Sequence, residues 1–241
     1  GAMLAASSPK YSATRILVDF AARLGGRPES SLVGQGVKTS CVNAALVNGT
    51  LGYYCDIEPH HVGGILHAPA VMVPTSLAVA EEEGLSGASF LEAMILGIEV
   101  ACRVSYALNP VALYNRGFHP SAICGAFGAA AASGRLFRLT APKFGIALGL
   151  ALQQASGLLA WASDQTENSR PFNPGLAARN GTTAAYLARL GFGGPPTPLR
   201  GQVRRLHRLF RRTPSRGSPG GLGAALLPPR VRLQALLQLL L

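Results

Sequence analysis

Acidic side chains are scarce in this chain, with 11 Asp+Glu against 22 Lys+Arg in 241 residues. None of the acids lies beyond residue 199, whereas nine of the basic residues do. Residues 1–199 are therefore nearly balanced, with thirteen basic and eleven acidic side chains. The net charge of +11 belongs to the tail and not to the body. No stripe of basic residues interleaved with aromatics runs through the body, so nucleic acid is excluded as its partner. Cysteine is scarce too. Cys41, Cys55, Cys102 and Cys124 have no CxxC spacing and sit among apolar residues. They are read as buried free thiols in a reducing compartment, which predicts a cytoplasmic protein. Residues 1–6 hold no basic side chain, so no secretory leader is expected.

Charge of either sign is absent from two long runs, residues 144–163 and, apart from His67, residues 62–80. Their length permits a membrane span. Gln153, Gln154 and Ser156 interrupt the first, and Gly63, Gly64, Pro69 and Pro74 the second. Neither has an aromatic belt or strong basic flanks. Both are read as parts of a soluble helical bundle, with no membrane partner.

What the chain has in abundance is small and apolar residues: 48% of it is hydrophobic and 29 residues are glycine. That mixture predicts closely packed helices around a substantial core. Ser12 is placed to cap a helix over 12–24 that Gly25 and Gly26 end, and residues 31–34 read as a short strand. Ser40 opens a helix over 40–54, which Pro59 prevents from continuing. Pro69 suits the first turn of a helix reaching Glu83, and Ser86 or Ser89 caps another over 86–108. His119-Pro120 opens the small-residue helix 121–136, Thr140 caps a helix over 141–162, and Pro174 starts a last one ending near Gly191. Nearly everything assigned is helix, which makes the domain, residues 1–198, all-α. From residue 199 to 241 the character changes to Arg-rich, then Gly/Pro-rich, then Leu/Gln-rich. This segment reads as a disordered tail or as sequence foreign to the domain, such as a shifted reading frame produces. Its rival reading is a basic amphipathic tail for a membrane surface or nucleic acid.

Two clusters carry the chemistry. Asp56, Glu58, His60, His61 and His67 lie within twelve positions, and the run Gly117-Phe118-His119-Pro120 is followed fifty residues later by Ser169-Arg170-Pro171-Phe172-Asn173-Pro174. Histidine titrates near neutrality, so these residues suit acid/base work. His119 stands at the start of a helix, where an anion is favoured, although capping that helix is an equally simple role. Arg170 and Arg179 flank Pro174, and a guanidinium fork binds carboxylates through two parallel hydrogen bonds. The plainer alternative for Arg170 is an ion pair with Asp164 or Glu167. Asn173 and Asn180 can orient a ligand through their amides. The His/carboxylate spacing matches no standard zinc signature, so no metal is expected.

These pieces, taken with Ala44-Ala45-Leu46-Val47-Asn48-Gly49-Thr50, His67-Ala68-Pro69, Gln154-Ala155-Ser156-Gly157 and Gly175-Leu176-Ala177-Ala178-Arg179-Asn180-Gly181, resemble the MmgE/PrpD family from about Leu4 to Pro198. Its members include 2-methylcitrate dehydratases, cis-aconitate decarboxylases and an iminodisuccinate epimerase. The resemblance implies a large helical domain beside a smaller α+β domain that is absent from this chain. It also implies that this chain is shortened at its N-terminal end, and that the protein is a homodimer. The implied chemistry uses no cofactor: a base takes a proton next to a carboxylate, and a leaving group or CO2 departs. The implied activity is that of a lyase, a dehydratase of a small di- or tricarboxylate such as a 2-methylcitrate-like substrate. The alternatives are a decarboxylase, an epimerase or an inactive fragment. Asp56, His67 and His119 match the family's active-site positions in residue type. The usual Asp-x-Asp-Asp-Thr loop has Glu58, Pro59 and His60 in its later positions, the family lysine aligns with Arg170, and a family histidine aligns with Asn173. The catalytic set is thus His119, His67 and Asp56, with Arg170, Arg179, His60 and Asn173 binding substrate.

Overall fold

The computed structural model describes Ala5 and residues 13–195 of the chain. The tail expected from residue 199 lies outside the described residues. Eight α-helices are present among those residues: α1 (Ala13–Leu24), α2 (Cys41–Tyr53), α3 (Ala68–Glu82), α4 (Gly87–Leu108), α5 (Pro110–Asn115), α6 (Pro120–Leu136), α7 (Ala141–Gln154) and α8 (Ser169–Arg189). Strands β1 (Ser30–Leu32) and β2 (Val37–Thr39) form an antiparallel pair with Ser31 opposite Lys38. The fold is mainly α.

Small residues let these helices approach closely, and α6 shows it most fully. Every residue of α6 except Arg135 is buried, and the helix packs against α3, α4, α7 and α8. At its crossing with α8 a Cβ on Gly181 would lie 2.4 Å from the Ala126 carbonyl oxygen and 2.6 Å from the Ala130 nitrogen. Only glycine fits where two backbones meet at that distance. The crossing of α2 with α8 is equally tight, the Cβ position of Gly49 falling 2.9 Å from the Gly175 Cα. Larger apolar side chains fill the spaces between the helices, with Phe127, Leu46, Leu51, Met72, Leu108 and Leu113 fully buried.

Several helix starts fall where the sequence places them. Ser86 caps α4 by accepting from the Ser89 N–H, and Pro69 lies in the first turn of α3. The expected strand has a partner that its own sequence did not announce. Asn48 of α2 fastens the pair, its side chain accepting from the Val33 N–H at 2.9 Å and donating to the Ser31 carbonyl at 2.8 Å.

Two expected boundaries move. The helix expected over 141–162 stops at Gln154, because Ala155 turns extended (ψ 103°) and Gly157 adopts φ +133°, a conformation closed to most side chains. A short 3-10 turn, Leu159–Ser163, follows. The last helix starts at Ser169 rather than at Pro174, with Pro174 inside it. The Asp164 carboxylate accepts from the Ser169 N–H at 2.9 Å and from its hydroxyl, which starts the helix five residues early. Among the described residues no helix is long and apolar enough to cross a membrane.

Candidate active site

The loop after α2 bends at Asp56, which has φ +53°. It continues through Glu58, His60 and His61 to His67, which precedes α3. The His67 backbone N–H donates to the Ser121 hydroxyl of α6 at 3.0 Å, tying this loop to the start of α6. His119 sits immediately before α6, and its side chain makes no capping hydrogen bond. The simpler capping role is therefore not the one it performs. Its backbone N–H donates to the Gly157 carbonyl at 3.0 Å, and the Leu159 N–H donates to the Gly117 carbonyl at 2.8 Å. The extended stretch after α7 thus runs beside the His119 loop. This is what the bend at Gly157 accomplishes, and a Cβ there would come 2.3 Å from the Ala122 Cβ.

Five segments deliver side chains to one place: the end of α2, the loop after it, the residue before α6, the 3-10 turn and α8. The Arg170 guanidinium, from the first turn of α8, pairs with the Asp56 carboxylate at 2.6 Å. It lies 5.2 Å from the centre of the Tyr53 ring and 5.5 Å from that of Trp161. The Tyr53 ring meets His67 edge-on at 5.0 Å and His119 at 6.0 Å, and Trp161 lies 5.9 Å from His119. The His60 ring lies 4.6 Å from that of His67. Nδ1 of His67 is 3.0 Å from Glu58 Oε1, at ion-pair distance but off hydrogen-bond alignment, and none of Nδ1 and the two Glu58 oxygens has another hydrogen-bond partner among the described residues. Asn173 Nδ2 is 3.4 Å from His119 Nδ1 and donates to the Leu158 carbonyl at 3.3 Å.

Asp56, His60, His67, His119, Arg170 and Asn173 are therefore assembled by the fold. Arg179 is not assembled with them. It is exposed on α8, nine residues beyond Arg170, which is roughly 13 Å along the axis and on the opposite face. The plainer alternative for Arg170, an ion pair with Asp164 or Glu167, gives way to the pair with Asp56, and Asp164 is occupied at the start of α8.

Burial sets the electrostatics. His119 is 5% exposed, and its pKa is lowered to about 4, first by burial and then by His67 and Arg170. It is a neutral imidazole at physiological pH. Burial likewise pushes the Tyr53 hydroxyl up to about 12, with Arg170 offsetting part of the shift. His60 is lowered by burial and by its neighbours His67 and His61. Asp56, Glu58 and His67 offer donor atoms within 4.8 Å of one another, close enough for one metal ion. The positive charge facing Asp56 is already supplied by Arg170, and a cation there would compete with it.

Tyr53, Trp161 and the contact of Glu58 with His67 were not singled out from the sequence. Tyr53 closes α2 three residues ahead of Asp56, a position that carries no sequence signal of its own. Trp161 is the one tryptophan of the chain, and it lies inside a run that reads first as a buried helix.

A family model described as the MmgE/PrpD N-terminal domain matches residues 1–216. Among curated proteins, the cis-aconitate decarboxylase-like protein oryM of Aspergillus oryzae is 32% identical over 171 residues, covering 68% of this chain and 35% of that protein. Cis-aconitate decarboxylase of Aspergillus terreus is 32% identical over 166 residues, covering 67% of this chain and 34% of the relative. The human cis-aconitate decarboxylase is 32% identical over 157 residues, covering 63% and 31%. The chain thus spans about a third of the length of the curated relatives it matches.

Proposed function

Because this chain belongs to the MmgE/PrpD family, we propose that it is the helical part of a lyase that moves a proton at a carbon next to a carboxylate, with loss of water or CO2. The substrate class is a small di- or tricarboxylate. One observation carries the reading: a buried, neutral histidine, His119, shares the Tyr53 and Trp161 rings with a guanidinium, Arg170. The guanidinium anchors a carboxylate, and the histidine then exchanges a proton with the neighbouring carbon. His67 is the second proton-exchanging group, beside Glu58, and Asp56 orients Arg170. Arginine cannot release its proton, so position 170 binds and does not perform acid/base chemistry. His60, exposed beside His67 at the border of the cluster, contacts substrate.

Dehydration and decarboxylation both fit this set. The names of the relatives favour decarboxylation, while the 2-methylcitrate-like substrate rests on the resemblance alone. The reading includes a homodimer in the cytoplasm. Arg179 binds substrate in it only if another part of the protein brings a carboxylate to the exposed face of α8. Residues 199–241 stay a tail in this reading. A second reading is favoured by the chain's one-third coverage of its relatives: this portion binds carboxylates and turns none over without the remainder of such a protein.

The test incubates the chain with cis-aconitate, citrate and 2-methylcitrate in deuterated water, alone and with a relative's remaining portion added. Deuterium uptake and mass loss are followed. Turnover that disappears in His119→Ala, with the helical circular dichroism retained, supports the lyase. Turnover that His119→Ala leaves intact overturns the assignment. Carboxylate binding by the chain alone, with turnover only after the remaining portion is added, supports the second reading.

A further inference from the structure

The two hydrogens of one amide determine which nitrogen of His119 carries a proton. Asn173 Nδ2 faces two groups, the Leu158 carbonyl oxygen at 3.3 Å and His119 Nδ1 at 3.4 Å. A carbonyl oxygen only accepts, so the atom facing Leu158 must be the amide nitrogen rather than its oxygen. With the amide oriented that way, its second hydrogen points to Nδ1, which must then be the lone-pair nitrogen. A neutral imidazole has one N–H, and it falls on Nε2.

The surroundings hold this arrangement in place. His119 and Asn173 are 5% and 9% exposed, so water does not offer Nδ1 a competing acceptor. The Leu158 carbonyl is fixed because the stretch that carries it pairs with the His119 loop on both sides, through His119 N–H to Gly157 and Leu159 N–H to Gly117. Asn173 lies on the buried face of α8. The aromatic neighbours Tyr53 and Trp161 stand 6.0 and 5.9 Å from the imidazole centre.

We propose that Asn173 is a positioning residue that locks His119 as the neutral Nε2–H imidazole, so that His119 gives a proton or hydrogen bond to the substrate and leaves the base role to His67. The sequence pattern, which puts Asn173 among substrate-binding groups, assigns it a different duty. The donation is balanced as follows: the Nε2–H bond breaks as the substrate atom gains the proton, and the imidazolate-like ring is reprotonated after product leaves. In dehydration the proton that His67 took from the substrate returns to it through water. In decarboxylation water supplies the proton, and its hydroxide captures the released CO2 as hydrogencarbonate. The neighbouring Arg170 guanidinium favours that transient negative charge. The chemical role rests on the lyase reading, whereas the tautomer does not.

Long-range nitrogen–proton NMR of the 15N-histidine-labelled chain at pH 7 tests it without substrate. His119 signals are assigned by their loss in His119→Asn. The expected wild-type pattern is a pyrrole-type Nε2 and a pyridine-type Nδ1. Asn173→Asp replaces the donor by an acceptor and should move the proton to Nδ1, and Asn173→Leu should give a mixture of the two forms. The wild-type spectrum needs no variant, so a variant that fails to fold leaves the test in force. An Nδ1–H pattern in the wild type overturns the proposal, as does a spectrum unchanged by both substitutions. Where turnover is measurable, Asn173→Asp should lower kcat at least tenfold with KM nearly constant. A change confined to KM would return Asn173 to substrate binding. Failure of the lyase reading would show as turnover indifferent to His119, with the tautomer pattern intact.

Discussion

The Arg170 guanidinium and the Asp56 carboxylate meet at 2.6 Å, although one belongs to the first turn of the last described helix and the other to the loop after α2. That pair is part-exposed, so it contributes little to stability and instead aims the guanidinium. Of the five guanidinium N–H donors, Asp56 and the Tyr53 hydroxyl engage some. The others remain for a ligand carboxylate, and this has a direct optical readout.

Trp161 is the only tryptophan and lies 5.5 Å from Arg170. Citrate or cis-aconitate should therefore change its emission saturably. Arg170→Met should weaken that titration by tenfold or more, in line with the roughly 1.5–3 kcal/mol of a hydrogen bond to a charged group. Arg170→Lys should fall between, since it keeps the charge and loses the fork. Identical titrations for wild type and Arg170→Met would remove Arg170 from the binding site.

The stability of the chain should depend on His119 between pH 6.5 and 4. Above pH 6.5 the ring is neutral in both the folded and the unfolded chain, and its full contribution is present. As the pH falls, the unfolded chain takes up the proton first, while the buried ring resists until about 4. Stability is lost across that window, up to about 3 kcal/mol from this group. Urea unfolding at pH 7 and pH 4.5 should show a smaller difference for His119→Asn than for the wild type. Equal differences would mean that the ring is not held neutral by burial. The same shift predicts that the acid limb of a turnover profile governed by His119 lies near pH 4, well below the value of a free histidine.

Gly181 should tolerate nothing larger. A Cβ there would enter the α6 backbone at 2.4 Å, so Gly181→Ala should cost about 1–3 kcal/mol and Gly181→Leu should prevent folding. By contrast, a Cβ at Gly87 meets nothing within 4 Å, and Gly87→Ala should stay within about 0.5 kcal/mol of the wild type. Thermal melts of the three variants decide the matter. A Gly181→Leu variant that melts like the wild type would contradict the α6–α8 crossing.

The thiols should separate into two classes. Cys41, Cys102 and Cys124 are buried and Cys55 is half-buried. Burial pushes the Cys124 thiol up to about 12 and raises Cys41 and Cys102 as well, with Glu82 adding to the effect at Cys41 and Glu99 at Cys102. A disulfide reagent should modify Cys55 first under native conditions and the other three only on unfolding. Rapid native labelling of Cys124 would require α6 to open.

The sequence alone determined seven of the eight helices and most of their starting points, while the short α5 carried no expectation. Ser86 and Pro69 act through their own side chains and neighbouring backbone, and such local chemistry is legible one turn at a time. Small-residue runs announced the close packing of α6. The same locality explains the two misplaced boundaries. The turn after Gln154 is stabilised by pairing with residues 117–119, and the early start of α8 depends on Asp164 folding back onto Ser169. The motif pattern also named Asp56, His60, His67, His119, Arg170 and Asn173, which the fold brings into one cluster. Only tertiary structure decided that Arg170 faces Asp56, that Tyr53 and Trp161 join them, that Arg179 points away, and that His119 is neutral. Each of those outcomes depends on distance through space and on exclusion of water, and neither quantity is written in the order of residues along the chain.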